Sequence, residues 1–459
     1  MPQASPTTTR HRDTAGWVVL VASVAGAMVV ALDGTVLLLA QPVLGRELGA
    51  SVAQVQWTST AYLLMVASLL VLAGRLGDRY GHGRLLWVGS LGFGVVSAGL
   101  LVAPTIGWVI ALRALQGIFA ALLQPATLAL LRIAYPPDRL RRAIGIRTSA
   151  IGLAAAAGPL LGGILVARFG WRAVFAINLP VALLIVVLAL LLRVPAPAVP
   201  PDLRVNLLGA TLLAWPLAAL VYTVAGLQEH GSGETTIGTL LVIAGAASFV
   251  VHEHRTEQPF IPSSVAGSRP VMASMSLLLI VTSGMFGALF VATFRLQQTL
   301  TPLAAGLHVL PLTIVMVAGA PFAGNAVLRY GARWTAVAGT ILVAVGIATS
   351  PQSNVIGSLG FAVLGAGFAV VMVTATGTVV GDAPAGCAGV VGGIKQTAMN
   401  IGPTLGIAVA SGLADAAAGA GAATGGAAAA GATAASAVLA AISLVALIPA
   451  TLLPPAGSR

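Results

Sequence analysis

The 459 residues are 58% hydrophobic and 8% charged, with a mean hydropathy of +0.99, which leaves too little polar surface for a water-soluble globule. The formal net charge of +11 would suit a nucleic-acid binder, but the basic residues are spread between apolar runs rather than gathered into a patch, so no nucleic-acid partner is expected. The single cysteine, Cys387, excludes an intramolecular disulfide and argues against a metal cluster, and neither a metal nor another cofactor is expected.

The composition predicts an all-α polytopic membrane protein. A hydrocarbon core of ~30 Å takes about 20 apolar residues per helix, and fourteen such runs fit along the chain: 17–42, 53–73, 85–104, 107–131, 144–167, 173–192, 205–227, 236–251, 271–294, 303–325, 334–350, 355–380, 388–412 and 433–453. The eighth is the shortest. The first run carries Asp33 and continues into further spans, so it reads as an uncleaved helix after a polar tail over 1–16. Residues 414–436, dominated by Ala and Gly, are low in complexity and either flexible or an extension of the flanking helices. With the N-terminus in the cytoplasm, seventeen arginines fall inside, Arg147 among them, and four fall outside, namely Arg46, Arg168, Arg172 and Arg295. This asymmetry places both termini in the cytoplasm.

Two patterns recur. Gly324–Gly331 repeats Gly74–Gly81, keeping the outer glycines and Arg-Tyr-Gly but losing the aspartate, and Gly402-Pro403-Thr404-Leu405-Gly406 repeats Gly158-Pro159-Leu160-Leu161-Gly162. Their order predicts two related bundles. The expected layout is a tail over 1–16, a six-helix bundle over 17–193, an inserted helix pair over 194–255, a second six-helix bundle over 256–453 and a tail over 454–459.

The segment Gly74-Arg75-Leu76-Gly77-Asp78-Arg79-Tyr80-Gly81-His82-Gly83-Arg84 reads as a short cytoplasmic hinge between crossings. Its spacing, Gly-x-Leu-x-Asp-Arg-x-Gly-x-x-Arg, resembles the helix 2 to helix 3 loop of the major facilitator superfamily. Leu32-Asp33-Gly34-Thr35-Val36 with Gln41-Pro42, Arg113-Ala114-Leu115-Gln116-Gly117, and Gly152 with Gly158-Pro159-Leu160-Leu161-Gly162-Gly163 resemble signatures of that superfamily's fourteen-helix drug:proton antiporters. The resemblance continues through Trp171-Arg172, Phe175, Asn178-Leu179-Pro180 and Lys395-Gln396. It implies a major facilitator fold, export rather than uptake, a gating loop at Gly74, Asp78, Arg79, Gly81 and Arg84, and an antiporter motif at Gly152, Gly158, Pro159, Gly162 and Gly163. His82-Gly83 depart from it by replacing the usual basic pair.

A charge in lipid costs roughly 2.5–3.5 kcal/mol on insertion scales and so marks function. Among the twelve acids only Asp33 is deep, and Arg113 falls at a similar depth across the first bundle. Burial and a nearby guanidinium act in opposite senses on a carboxyl's hold on its proton, so a changing Asp33–Arg113 distance is expected to switch that hold during transport. The competing reading is a static pair joining helices 1 and 4. Gln41, Gln116, Asn178, His308, Lys395, Gln396 and Asn400 are expected to line a substrate cavity, with Asn325, Gln297 and Gln298 as weaker candidates. A single cavity acid suits neutral or singly cationic lipophiles.

No Gly-x-x-x-x-Gly-Lys-Ser/Thr sequence can be written, since the only lysine, Lys395, precedes Gln396, so energy must come from an ion gradient rather than ATP. Nothing in the chain assembles a nucleophile, a base and an oxyanion site, so no enzyme is expected. The expected function is proton-coupled efflux of lipophilic drugs or antibiotics by a plasma-membrane monomer, its partners being protons, lipids and a small substrate. A dedicated exporter or facilitator of one metabolite, or a transport-dead sensor, remains an alternative.

Overall fold

A computed structural model describes residues 6–191, 206–225 and 232–455, apart from 258, 301, 351, 353–354, 385 and 420–424. Expectations resting on Arg193, Arg204 and Arg459, and on the side chains of Pro159, Gln297 and Gln298, lie outside the described residues. Among those described, every regular element is a helix: α1 (Pro6–Glu47), α2 (Val52–Tyr80), α3 (His82–Leu101), α4 (Ile106–Ala134), α5 (Pro137–Phe169), α6 (Ala173–Ala176), α7 (Asn178–Leu191), α8 (Leu207–Ala225), α9 (Ser232–Arg255), α10 (Ser263–Ala266), α11 (Arg269–Thr299), α12 (Pro302–Thr349), α13 (Val355–Gly381), α14 (Ala388–Gly419), α15 (Gly425–Val445) and α16 (Leu447–Thr451). Among the described residues, eleven helical segments are long and apolar enough to cross a membrane, with α6–α7 and α15–α16 each making one.

Several helices outrun the expected spans. α1 starts at Pro6 rather than residue 17, α9 covers Ser232–Arg255 rather than 236–251, and α14 and α15 extend into the Ala-Gly stretch to Gly419 and from Gly425, as the high helix propensity of alanine favours. α5 starts at Pro137 instead of 144, because a proline at the first helical position loses no hydrogen bond there. Arg147, counted with the cytoplasmic arginines although it falls within the expected span 144–167, is buried inside this helix.

The expected hinge over 74–84 is helical except at one residue. α2 runs to Tyr80, α3 begins at His82, and Gly81 alone breaks the chain with φ 98°, a conformation L side chains resist. Gly331 does the same inside α12 with φ 80°. Arg79 lies 5.4 Å from the Tyr80 ring and Arg329 5.3 Å from the Tyr330 ring, so the repeat is geometric as well as sequential. The second repeat behaves alike: a Cβ on Gly158 or Gly162 would run into Thr35 or Val36 of α1, and one on Gly402 or Gly406 into Thr282 or Ser283 of α11. Lipid supplies no hydrophobic drive between helices, so such small-residue contacts hold the bundle.

Buried apolar side chains gather into separate cores. One is built by α1–α5 and α7, including Leu70, Phe93 and Leu123, and a second by α11–α16, including Leu278, Val343 and Phe361. α8 and α9 pack on each other and α8 leans on α2.

Candidate functional site

On α1, Asp33 lies on the stripe formed by Val29, Val36, Leu37 and Ala40, all buried, as one helix face requires. On α4, Arg113, Gln116, Gly117 and Ala120 form the facing stripe. Gly117 has the Tyr62 carbonyl where a Cβ would stand, so α4 closes on α2 and brings Arg113 to 4.3 Å from the Tyr62 ring centre. The result is a closed polar network with almost no solvent: Asp33 is 3% and Arg113 1% exposed. Arg113 Nη1 donates to Asp33 Oδ2 at 2.6 Å and to Gln116 Oε1 at 2.5 Å, while its Nε donates to the Thr58 carbonyl at 3.0 Å. Asp33 Oδ1 accepts from Asn178 Nδ2 at 2.8 Å and Gln116 Nε2 at 3.3 Å. Ser97 Oγ accepts from Gln116 at 2.9 Å and from Asn178 at 3.4 Å.

Gln116 and Asn178, expected to line a substrate cavity, hydrogen-bond to the Asp33 carboxylate in this conformation. Asp33, expected to suit neutral or singly cationic lipophiles, has both oxygens engaged within the protein. Tyr62, Ser97 and Thr58 complete the network without having been singled out, since a lone hydroxyl in an apolar helix carries no signal by itself. Among the described residues the Tyr62 hydroxyl and Asn178 Oδ1 are buried without a hydrogen-bond partner.

The hinge end is a second constellation, and here the two cores meet. Asp78 accepts from the Gly389 and Val390 amides at 2.7 and 3.0 Å, and His82 Nε2 lies 3.1 Å from its Oδ1. A carboxylate thus caps the start of α14, where the free amides and helix dipole favour negative charge. Gly74 and Gly389 touch backbone to backbone. Arg75 donates to the Phe260 and Pro259 carbonyls at 2.8 and 2.6 Å, Arg132 Nη2 to the Ala383 carbonyl at 2.6 Å, and Ser149 Oγ to the Val317 carbonyl at 2.8 Å. Gly152 faces Met316 of α12. Arg79 rests on Tyr80, and Arg84 is exposed, so of the expected loop residues Arg84 stands apart. His82, read as a departure from pattern, packs its ring where Gly77 leaves room. A cleft of about 310 Å³ opens here, lined by Asp78, His82, Arg132, Ile133, Pro384, Gly386 and Ala388.

Cys387 is half-buried in the turn before α14. Burial, and after it the charge of Asp78, push its thiol up, with Arg75 and a Ser264 hydrogen bond partly offsetting, so it reacts slowly while the hinge end is shut. Charge-assisted hydrogen bonds are worth about 1.5–3 kcal/mol. Asp78→Asn is accordingly expected to raise maleimide labelling of this native thiol by about tenfold at neutral pH. An unchanged labelling rate would mean that Asp78 does not hold this end closed.

The remaining cavity candidates scatter. Gln41 binds Ser59 and Thr58 at 2.9 and 3.3 Å, tying α1 to α2. His308 sits between Ser358 at 2.8 Å and the Gln352 carbonyl at 3.1 Å, with its ring against Phe361, and Asn325 is exposed. Gln396 donates to Asn400 one turn along the same helix at 3.4 Å. Gly163 is half-buried. Lys395 is 1% exposed, buried within the protein.

The chain matches the model of the Major Facilitator Superfamily over residues 23–407. It is 39% identical over 402 residues to the tetracenomycin C resistance and export protein of Streptomyces glaucescens, covering 86% of this chain and 75% of that one. The multidrug efflux pump LfrA of Mycolicibacterium smegmatis is 32% identical over 421 residues, at 88% and 82% coverage. The puromycin resistance protein pur8 of Streptomyces alboniger is 34% identical over 414 residues, at 86% and 81%. In fold the chain is similar to the human organic anion transporter MFSD10, with TM-score 0.64, 14% identity and coverage of 97% of this chain and 100% of that one. It is likewise similar to the proton:xylose symporter XylE, with TM-score 0.65, 13% identity and 95% coverage of each.

Proposed function

The chain belongs to the major facilitator superfamily, and within it we propose that this multi-pass transporter exports lipophilic drugs or antibiotics in exchange for protons, by alternating access. The observation that carries the proposal is the closed Asp33–Arg113 pair. Ionised, Asp33 compensates Arg113; protonated, it would leave the guanidinium buried without a counter-ion. Breaking one partner of a buried pair costs about 3–5 kcal/mol, so a proton on Asp33 and this arrangement of α1, α2 and α4 oppose one another. The unused Asn178 Oδ1 is an acceptor for the carboxyl proton after an amide rotation. The conformation closed at the hinge end is then the one that ionised Asp33 favours, and proton entry biases the bundle toward the alternative state. The names of the relatives support resistance and export as the role.

The topology is read the same way. We read the eleven apolar segments, α5, α14 and the two parts of α12 on either side of Gly331 as fourteen crossings in a six, two and six arrangement, with the hinge end and both termini in the cytoplasm. Setting aside Arg147 as buried leaves sixteen arginines inside against four outside, so the charge asymmetry persists. A dedicated exporter is a second reading, favoured by the single compound named for the 39%-identical relative.

Proton release from the purified protein on adding puromycin or tetracenomycin C tests the exchange. Release with more than one compound is expected; release with one alone selects the dedicated exporter. Measurable binding with no proton release for any of them would overturn antiport.

A further inference from the structure

Six charged side chains are buried among the described residues: Asp33, Arg75, Asp78, Arg113, Arg147 and Lys395. Asp33 balances Arg113, and Asp78 lies close enough to Arg75 to act on its charge. Arg147 and Lys395 are left over. Lys395 makes no hydrogen bond or ion pair with any described residue. Arg147 has only a 3.4 Å bond from Nη2 to Thr127 Oγ1, and its Nε is buried without a partner. The two cations are within electrostatic reach of each other, so each makes the other's burial worse.

Their setting is the seam between the two cores. Arg147 reaches the Thr127 hydroxyl on α4. Lys395 lies one turn after Gly392 on α14, and Gly392 faces Pro125 of that same α4 segment. Gln124, next to Pro125 on α4, is 6% exposed, and its amide is hydrogen-bonded to no described residue. Two cations and an amide thus gather along one stretch of α4, Arg147 Nε buried without a partner and the other two groups lacking one among the described residues. Buried charges without partners are otherwise expelled or neutralised. Asp33 cannot serve, because both of its oxygens are taken.

Resting on the export reading above, we infer that Arg147 and Lys395 form a recognition site for a negatively charged group, a carboxylate or an ionised phenol, on a lipophilic substrate. The anion completes the seam from outside the protein's own residues. Gln124 donates an additional hydrogen bond, and the surrounding apolar helices hold the body of the molecule. Lipophilic anions are therefore preferred over the neutral and singly cationic lipophiles that a lone cavity acid would favour.

The test uses pyrenebutyrate, its methyl ester and ethidium, bound to the full-length purified protein and followed by fluorescence. Wild type is expected to hold pyrenebutyrate at least tenfold more tightly than the ester, the worth of one charge-assisted hydrogen bond to a buried group. Lys395→Gln should erase most of that difference while leaving ester binding within about twofold, and Lys395→Arg should keep it. Equal binding of acid and ester by wild type overturns the proposal whatever the variants do. A loss of all three probes in Lys395→Gln overturns it too, since it assigns the lysine to packing. Repeating the titration in phosphatidylcholine vesicles with and without phosphatidylglycerol separates a substrate anion from a lipid headgroup: competition by the anionic lipid would make the site a lipid site. The export reading fails separately. Acid-selective binding that never couples to a pH gradient leaves the site standing and removes antiport, whereas gradient-driven ethidium efflux with equal binding of acid and ester does the reverse.

Discussion

Asp33→Asn is expected to abolish pH-gradient-driven export by at least about a hundredfold while leaving substrate exchange at equal pH intact, because an amide fills the site but has no proton to gain or lose. The asparagine retains an oxygen for Arg113 Nη1, now 2.6 Å from the carboxylate, but not the counter-charge, so it imitates the protonated acid and biases the bundle toward the alternative state without blocking exchange. Arg113→Gln should behave differently. It leaves Asp33 buried without its counter-ion, a loss of about 3–5 kcal/mol, and should lower the unfolding temperature as well as transport. The double variant Asp33→Asn/Arg113→Gln should recover most of that stability and none of the coupling, since an uncharged pair needs no compensation. Thermal unfolding and proteoliposome flux, measured on the same preparations, separate the two losses. Full gradient-driven export by Asp33→Asn would place the proton elsewhere. A static pair would show the stability pattern with coupling untouched.

Much of this was legible in the sequence, for identifiable reasons. Runs of apolar residues report crossings because lipid permits little else, and the equal depths of Asp33 and Arg113 could be counted along their helices. Depth is all that such counting gives. Whether Gln116 and Asn178 faced a cavity or Asp33 depended on how α3, α4 and α7 are rotated about their axes, which spacing within one helix cannot fix. Arg147 was counted with the cytoplasmic charges although it falls within the expected span 144–167, because a charge one turn from a helix start reads as facing the loop; its burial depends on how α5 is rotated against α4, which spacing cannot fix. His82 looked like a missing base when compared with a pattern; in space it is a second partner for Asp78. Gly389 had no signal at all, since its role exists only against Gly74, more than three hundred residues away.

That pair of glycines carries the other large effect. A Cβ on Gly74 would overlap the Gly389 carbonyl, and a Cβ on Gly389 would overlap that of Gly74; backbone on both sides leaves no flexible atom to yield. Gly74→Val is therefore expected to unseat α2 from α14, and with them the two amide bonds to Asp78, at 2.7 and 3.0 Å. Overpacking of this kind costs typically 1–3 kcal/mol, and the lost charge-assisted bonds add about as much again. Together they should hold the hinge end open. The fold itself should survive, because the clash disturbs only the small seam cluster of Val71, Ala210, Phe260 and Val390 and lies within neither large core. The variant is expected to label rapidly at Cys387 without substrate, to keep a monodisperse elution profile and to lose export. Gly306→Ala is the control, an exposed position with nothing near its new methyl group. If Gly74→Val transports normally with Cys387 still protected, then the Gly74–Gly389 contact is incidental, and closure at this end must rest on Arg132, Ser149 and the α5–α12 seam.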